Sequence, residues 1–220
     1  SIYLLQVGTA KNLSSREVDN YIKQYSEAEL SQCSLETRIV DNYPCLIVRL
    51  PNETLMLNLK LLEAVGASQA WTLLQSGTST SPYRAIHGVL DPRRAQWTYG
   101  DIFGPTLGYL DDTVSTHYDD MVECVLFSPF YYLECMSIDE LMIQPIPVFT
   151  IVDDATVFFS VTYDGVMWGS EASLDYGGPS AYGQRFIAYA LGAVENFFAF
   201  KFRWITESRM AFASGRILYG

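Results

Sequence analysis

The sequence predicts a mainly β or α+β fold, most simply an antiparallel β-sandwich or irregular barrel with one secure helix near the N-terminus. Three observations carry that expectation. About nine to eleven short apolar runs of strand length are bounded by Gly, Pro, Asn, Asp and Ser. Only one stretch, around Ser14 to Tyr25, shows sustained helical periodicity. The run from Asn196 to Ile205 alternates strictly, with Phe198, Phe200, Phe202 and Trp204 on one face and Lys201 and Arg203 on the other. At 220 residues, 49% hydrophobic and 18% charged, the chain is long and apolar enough for a proper core. It is read as a single domain over 1–220.

Taken in order, Ile2 to Val7 is strand-like and stops at Gly8. Ser14 and Glu17 have capping-box spacing, and Val18, Tyr21, Ile22 and Tyr25 follow at i, i+3, i+4 and i+7, the stripe of a helix lying on a sheet. Arg38 to Val40, Cys45 to Leu50, Thr54 to Lys60 and Trp71 to Gln75 read as strands, and Ser76 to Pro82 as a surface loop. Residues 83–121 are broken by Gly88, Pro92, Gly100, Gly104, Pro105 and Gly108, so they are expected to be irregular. Met121 to Leu126 and Phe130 to Leu133 are strand-like. Val148 to Val152, Thr156 to Tyr163 and Val166 to Gly169 suggest a small antiparallel sheet with a hairpin at Asp164-Gly165. Ser180 to Glu195 fits a helix slightly better than a strand, although Gly183 and Gly192 weaken the helix. Met210 to Phe212 and Arg216 to Tyr219 read as a closing hairpin around Ser214 and Gly215.

Charge is unevenly placed. Net charge is −11, and between Ala95 and Gln184 there is no Lys or Arg while fourteen Asp and Glu occur. That balance excludes nucleic-acid binding through phosphates, which needs Lys and Arg to displace counterions. No charge-free apolar run approaches 18 residues, so no transmembrane helix is expected. The opening at Ser1 lacks a basic, cleavable leader, and a start in mid-strand suggests a processed or excised part of a longer polypeptide.

Catalytic signatures are sparse. His87 and His117 are the two histidines, and neither sits near a nucleophile elbow. Cys33, Cys45, Cys124 and Cys135 lack zinc spacing and are expected as buried thiols rather than disulfides. Tyr176-Gly177-Gly178-Pro179 has a proline where a phosphate loop needs donors, so it reads as a turn. Asn12-Leu13-Ser14 and Asn52-Glu53-Thr54 are glycosylation triplets only in a secretory context. Asp111, Asp112, His117, Asp119, Asp120 and Glu123 form the densest polar cluster, but its spacing matches no calcium loop. No cofactor and no metal are expected.

The functional expectation is a non-enzymatic recognition domain, specifically a protruding, spike-like, receptor-binding domain of a viral coat protein, on the virion surface or otherwise extracellular. Its binding residues would be the aromatic side chains on predicted loops: Tyr99, Phe103, Tyr109, Tyr118, Tyr176 and Tyr182. Partners would be a protein or glycan receptor, with a homodimer plausible. Two alternatives stand beside it. One is a hydrolase using carboxylates of the 111–123 cluster, and the other an acidic decoy for a basic protein surface.

Overall fold

The computed structural model describes residues 1–78, 81–111, 113–133, 136–146, 155–176, 185–207 and 210–220. The protein is mostly β, as expected, and the described strands pair antiparallel. It divides into two compact units, residues 1–76 with 80–112 and residues 77–79 with 113–220, where the sequence reading takes one domain. The buried side chains explain the division: they gather into separate clusters within each unit.

The first unit begins with a hairpin of β1 (Tyr3–Gln6) and β2 (Thr9–Asn12), turned at Gly8 with φ +80°. Helix α1 (Arg16–Lys23) follows, capped by Ser15, whose hydroxyl accepts from the Val18 N–H. Ser14, the expected cap, instead accepts the Ile2 N–H at 2.6 Å and ties the strand to the helix start. Val18 is buried against Val48, Leu50 and Leu55, with Tyr21, Ile22 and Tyr25 beside it, so the helical stripe is core. A one-turn helix, α2 (Glu27–Leu30), carries the reciprocal capping box, between Ser26 and Glu29.

A four-stranded meander comes next: β3 (Ser34–Val40), β4 (Tyr43–Arg49), β5 (Thr54–Asn58) and, after helices α3 (Leu59–Val65) and α4 (Ala67–Ala70), β6 (Trp71–Leu74). Asp41 and Asn42 both take left-handed φ, which suits a two-residue hairpin turn. The predicted strand to Lys60 ends early because the Asn58 side chain accepts the Lys60 and Leu61 N–H groups and starts α3. A three-stranded meander then runs through β7 (Ala85–Asp91), β8 (Gln96–Asp101) and β9 (Gly104–Tyr109). This corrects the expectation of an irregular 83–121. Its Gly and Pro residues occupy turns, strand ends and a bulge without stopping the strands. At the bulge, His87 is left-handed (φ 52°) and the β7–β8 register shifts between Ile86 and Val89.

The second unit opens with a tight hairpin of β10 (Thr116–His117) and β11 (Asp120–Met121), with Tyr118 and Asp119 left-handed at its turn. Eight strands follow: β12 (Glu123–Phe127), β13 (Tyr131–Tyr132), β14 (Met136–Ile146), β15 (Thr156–Thr162), β16 (Ala172–Asp175), β17 (Phe186–Val194), β18 (Phe197–Ile205) and β19 (Ala211–Tyr219). They form two sheets. One is ordered β12-β18-β15-β16, with β13 beside β12 along β18, and the other is β17-β14-β19. Phe198, Phe200, Phe202, Val157 and Phe159 from the first share a core with Ile138, Leu141, Ile143, Phe186 and Val194 from the second. That is the predicted sandwich.

Three local expectations change in this unit. Val166 to Gly169 is not a strand, and the partner of β15 arrives later as β16. Residues 186–194 form a strand, because pairing with β14 outweighs the marginal helical pattern. The proposed closing hairpin is one continuous strand, in which Gly215 pairs with Ile143 and makes no turn. Strand β14, at the centre of its sheet, is not anticipated by the sequence reading at all. Val148 to Val152 and Gly177 to Pro179 lie outside the described residues.

Cys45 is buried, Cys33 and Cys124 are half-buried, and all three are free thiols whose pKa burial pushes up. Cys135 lies outside the described residues.

Gly88 tests the first unit. A Cβ there would stand 2.4 Å from the Tyr99 ring and 2.9 Å from a Glu36 carboxylate oxygen. Gly88→Ala is expected to cost about 1–3 kcal/mol through overpacking, read as a lower urea midpoint with an unchanged slope. An unchanged midpoint would show that the ring can move aside freely.

Candidate interaction surfaces

Because alternate residues of β18 enter the core, Lys201 and Arg203 must stand on the opposite face of its sheet. Neighbouring chain segments bring acids to meet them. Arg203 donates to Glu171 from Nε at 3.1 Å and from Nη2 at 2.5 Å, and from Nη1 to Glu123 at 3.2 Å. Lys201 Nζ lies 3.2 Å from Glu171. The hydrogen bonds from Arg203, then those from Lys201, hold the Glu171 carboxyl down at about 2. Arg203 also lies over the Phe158 ring at 4.4 Å and Lys201 over Trp168 at 5.5 Å, so the alkyl stems cover aromatic surface while the charges pair.

Beside this ionic face the sheet edge is aromatic and open. Phe127 packs on Trp168 at 5.5 Å between centroids, and Phe130 meets Phe197 edge-on at 5.0 Å. Tyr132 flanks Phe197 and is 79% exposed. Val166 and Met167 project from the loop after β15, 80% and 75% exposed. That loop is fixed by Asp164, whose carboxylate accepts the N–H groups of Val166 and Met167 at 2.8 Å and the Thr162 hydroxyl at 3.0 Å. Exposed apolar side chains gathered in this way commonly mark interaction surfaces.

The first unit holds a buried polar clamp. Arg38 on β3 is 5% exposed and donates to the Tyr83 hydroxyl at 3.1 Å. It lies about 5.5 Å from the Tyr99 ring centre and 5.6 Å from that of Tyr83. The Tyr99 hydroxyl donates to Glu36 at 3.1 Å, and Glu36 also receives Arg49 at 3.5 Å. Nearby in sequence, Arg84 and Asp101 pair at 2.5 Å. The contacts of Tyr99 with Arg38 and Glu36 join the four-stranded meander to the three-stranded one, while the Arg84–Asp101 pair lies within the latter segment. Burial pushes the Tyr99 hydroxyl up to about 12.

The predicted binding residues therefore divide. Phe103 and Tyr109 are exposed, at 65% and 60%, and Tyr118 is half-buried at the β10–β11 turn. Tyr99 and Tyr176 were expected on exposed loops; they are buried instead, at 2% and 1%. Tyr99 belongs to the clamp on β8, and the Tyr176 hydroxyl donates to the Ala211 carbonyl while accepting its N–H. Tyr182 lies outside the described residues. Phe127, Phe130, Tyr132 and Trp168 are not among the predicted binding residues. Their signal is legible in Val125-Leu126-Phe127, which stays apolar through both faces of a strand.

Described members of the acidic cluster lie at a turn and in an ion pair. Asp119 and Asp120 lie exposed on the tight turn, and Glu123 is held by Arg203. Among the described residues, no three His, Cys, Asp or Glu side chains come together as a metal site. Asp112, Asp153 and Asp154 lie outside the described residues.

Comparison with known proteins places the chain among bacteriophage structural proteins. Residues 1–115 match the family described as bacteriophage P22 Gp10, β-propeller, and residues 123–219 the one described as bacteriophage P22 Gp10, β-sandwich. The chain belongs to the P22 Gp10 family. It is 25% identical over 220 residues to the "Tail hub protein gp10" of Salmonella phage P22, an alignment covering 99% of this chain and 45% of that protein. The chain thus spans about half the length of this curated relative. The first unit contributes blade-like meanders to a propeller family, although its described sheets form no closed ring.

Two titrations test these networks. With a depressed pKa, Glu171 contributes stability that is present above about pH 4.5 and lost as pH falls toward 2. The deficit of Glu171→Gln, about 1 kcal/mol or less for so solvated a pair, should therefore be constant near neutrality and shrink as pH falls from about 4.5 through about 2; a deficit independent of pH would contradict the pairing. Tyr99 has a raised pKa, so its contribution is present below about pH 10 and lost as pH rises through 12. Tyr99→Phe should lower stability at neutral pH by about 1–2 kcal/mol and flatten the alkaline limb of the stability curve.

Proposed function

We propose that this chain is an assembly module of a bacteriophage tail, engaging neighbouring tail subunits through β surfaces and catalysing no reaction. The observation that carries this reading is the similarity to a tail hub protein, which runs across all 220 aligned positions and through both structural units. The exposed rim of Phe127, Phe130, Tyr132, Val166 and Met167 supports it, since a solvated monomer gains nothing from such a surface. A tail position replaces the coat spike as the preferred placement, and protein subunits replace a glycan as the preferred partners. The hydrolase alternative has no support in the exposed setting of Asp119 and Asp120 or in the Glu123–Arg203 pair.

Immunogold electron microscopy of the phage that encodes the chain separates these placements. Antibodies against it are expected to label the single vertex where the tail joins the head. Label distributed over the capsid surface would overturn the tail reading and restore the coat spike.

A further inference from the structure

The two sheets of the sandwich leave a cavity of about 330 Å³ between them, walled by Leu126, Leu141, Ile143, Phe202 and Ile217 and bordered by Gly215. Leu126 pairs with Phe202 and so faces the inter-sheet space, yet it is 44% exposed where Phe202 is 2% exposed. A core-facing leucine in contact with water shows that the cavity opens beside it. Gly215, across from it on β19, is exposed as well. A Cβ at Gly215 would find its nearest neighbours in Ile143 and the Met142 carbonyl, at 3.8 and 4.0 Å, so this wall has room for a side chain from elsewhere. An open apolar socket gains dispersion contacts when an apolar group fills it.

The same unit carries an apolar peg. Val166 and Met167 are its tip, and the loop beneath them is pinned at both ends. At one end Gly165 is left-handed (φ +73°), and a Cβ on it would come 3.1 Å from the Phe130 ring. At the other, Trp168 packs on Phe127. Between them the Asp164 carboxylate receives the Val166 and Met167 N–H groups. A loop already fixed in one shape loses little entropy when it docks.

Peg and socket also match in charge. The three hydrogen bonds that Asp164 accepts from Thr162, Val166 and Met167 all end on Oδ1, so Oδ2 remains available among the described contacts. The backbone donors hold its carboxyl below the usual range, and the group is ionised at neutral pH. At the socket, Arg216 stands between Gly215 and Ile217, is exposed and makes no ion pair among the described residues. Lys201 and Arg203, in contrast, are already paired with acids. We propose that Val166 and Met167 of one copy of this chain enter the inter-sheet socket of a second copy, with Asp164 beside the arginine at its mouth. Because peg and socket are different patches the contact is heterologous, and its repetition closes a ring or builds a filament. The inference rests on the reading of the aromatic rim as an assembly surface, and it names the second copy as the occupant.

Sedimentation velocity of the whole chain over a concentration series is expected to show self-association. Met167→Glu, at a side chain already in water, and Gly215→Leu, which fills the socket from within, should each weaken association at least tenfold with an unchanged circular dichroism spectrum. Leu126→Glu takes the place of Gly215→Leu if that variant does not fold. Mixed in equal amounts, the peg variant and the socket variant should associate again as a one-to-one pair, because the intact peg of one meets the intact socket of the other. Arg216→Glu should weaken association at least threefold at low salt and by less at high salt, where the charges are screened. A chain that stays monomeric overturns the proposal, as does association insensitive to these substitutions or a mixture that fails to recover it. Capture of a different tail subunit by the rim of a monomeric chain would overturn it too, while leaving the assembly reading of the rim in place. Immunogold label over the capsid, by contrast, would remove the tail placement and leave this contact standing.

Discussion

The second unit depends on the burial of one face of β18. Phe198, Phe200 and Phe202 are almost completely removed from water, and each such side chain contributes about 1.5–3 kcal/mol relative to exposure. The rings also order one another: Phe202 stacks on Phe212 at 5.6 Å, and Phe200 stacks on Tyr131 at 5.9 Å. Phe212 belongs to the facing sheet, so this contact sets how that sheet lies over the first. Once the face is committed inward, the strand's period of two leaves no choice for Lys201 and Arg203. They must stand outside, and the acids of β12 and of the approach to β16 are where pairing requires them.

The first unit solves a different problem. Two small meanders lie side by side, and a buried arginine rather than an apolar layer links them. Arg38 is satisfied on one side by Tyr83 and by the faces of two tyrosine rings, while its Nε lacks a partner among the described atoms. A buried cation costs desolvation that apolar packing would not, but its directional contacts fix register more strictly than greasy contact does. Gly88 belongs to the same arrangement, since only a residue without a Cβ lets the Tyr99 ring lie against β7.

Among the described residues, Glu123 and Glu171 are held in ion pairs and Asp164 fixes a surface loop, while Asp101 is buried against Arg84. A strand period can be satisfied by many sequences, which fits membership of the family at 25% identity.

By itself the sequence determined the elements whose signal is local. The α1 stripe from Val18 to Tyr25, the alternation of β15 and β18, the absence of any charge-free span long enough for a membrane helix and the mainly β class all follow from period and composition. They survive because propensity and pattern agree there. Tertiary structure decided the rest. Whether Gly88 and Pro92 end a strand or shape one depends on a neighbouring strand being present to pair, and pairing also made strands of β14, β17 and β19. Burial decided which tyrosines were available: Tyr99 and Tyr109 belong to adjacent strands of one meander, yet one is enclosed by Arg38 and the other faces water. No property of a tyrosine in a sequence records which side of a sheet it will occupy, because that is set by register, and register is set by strands far away in the chain.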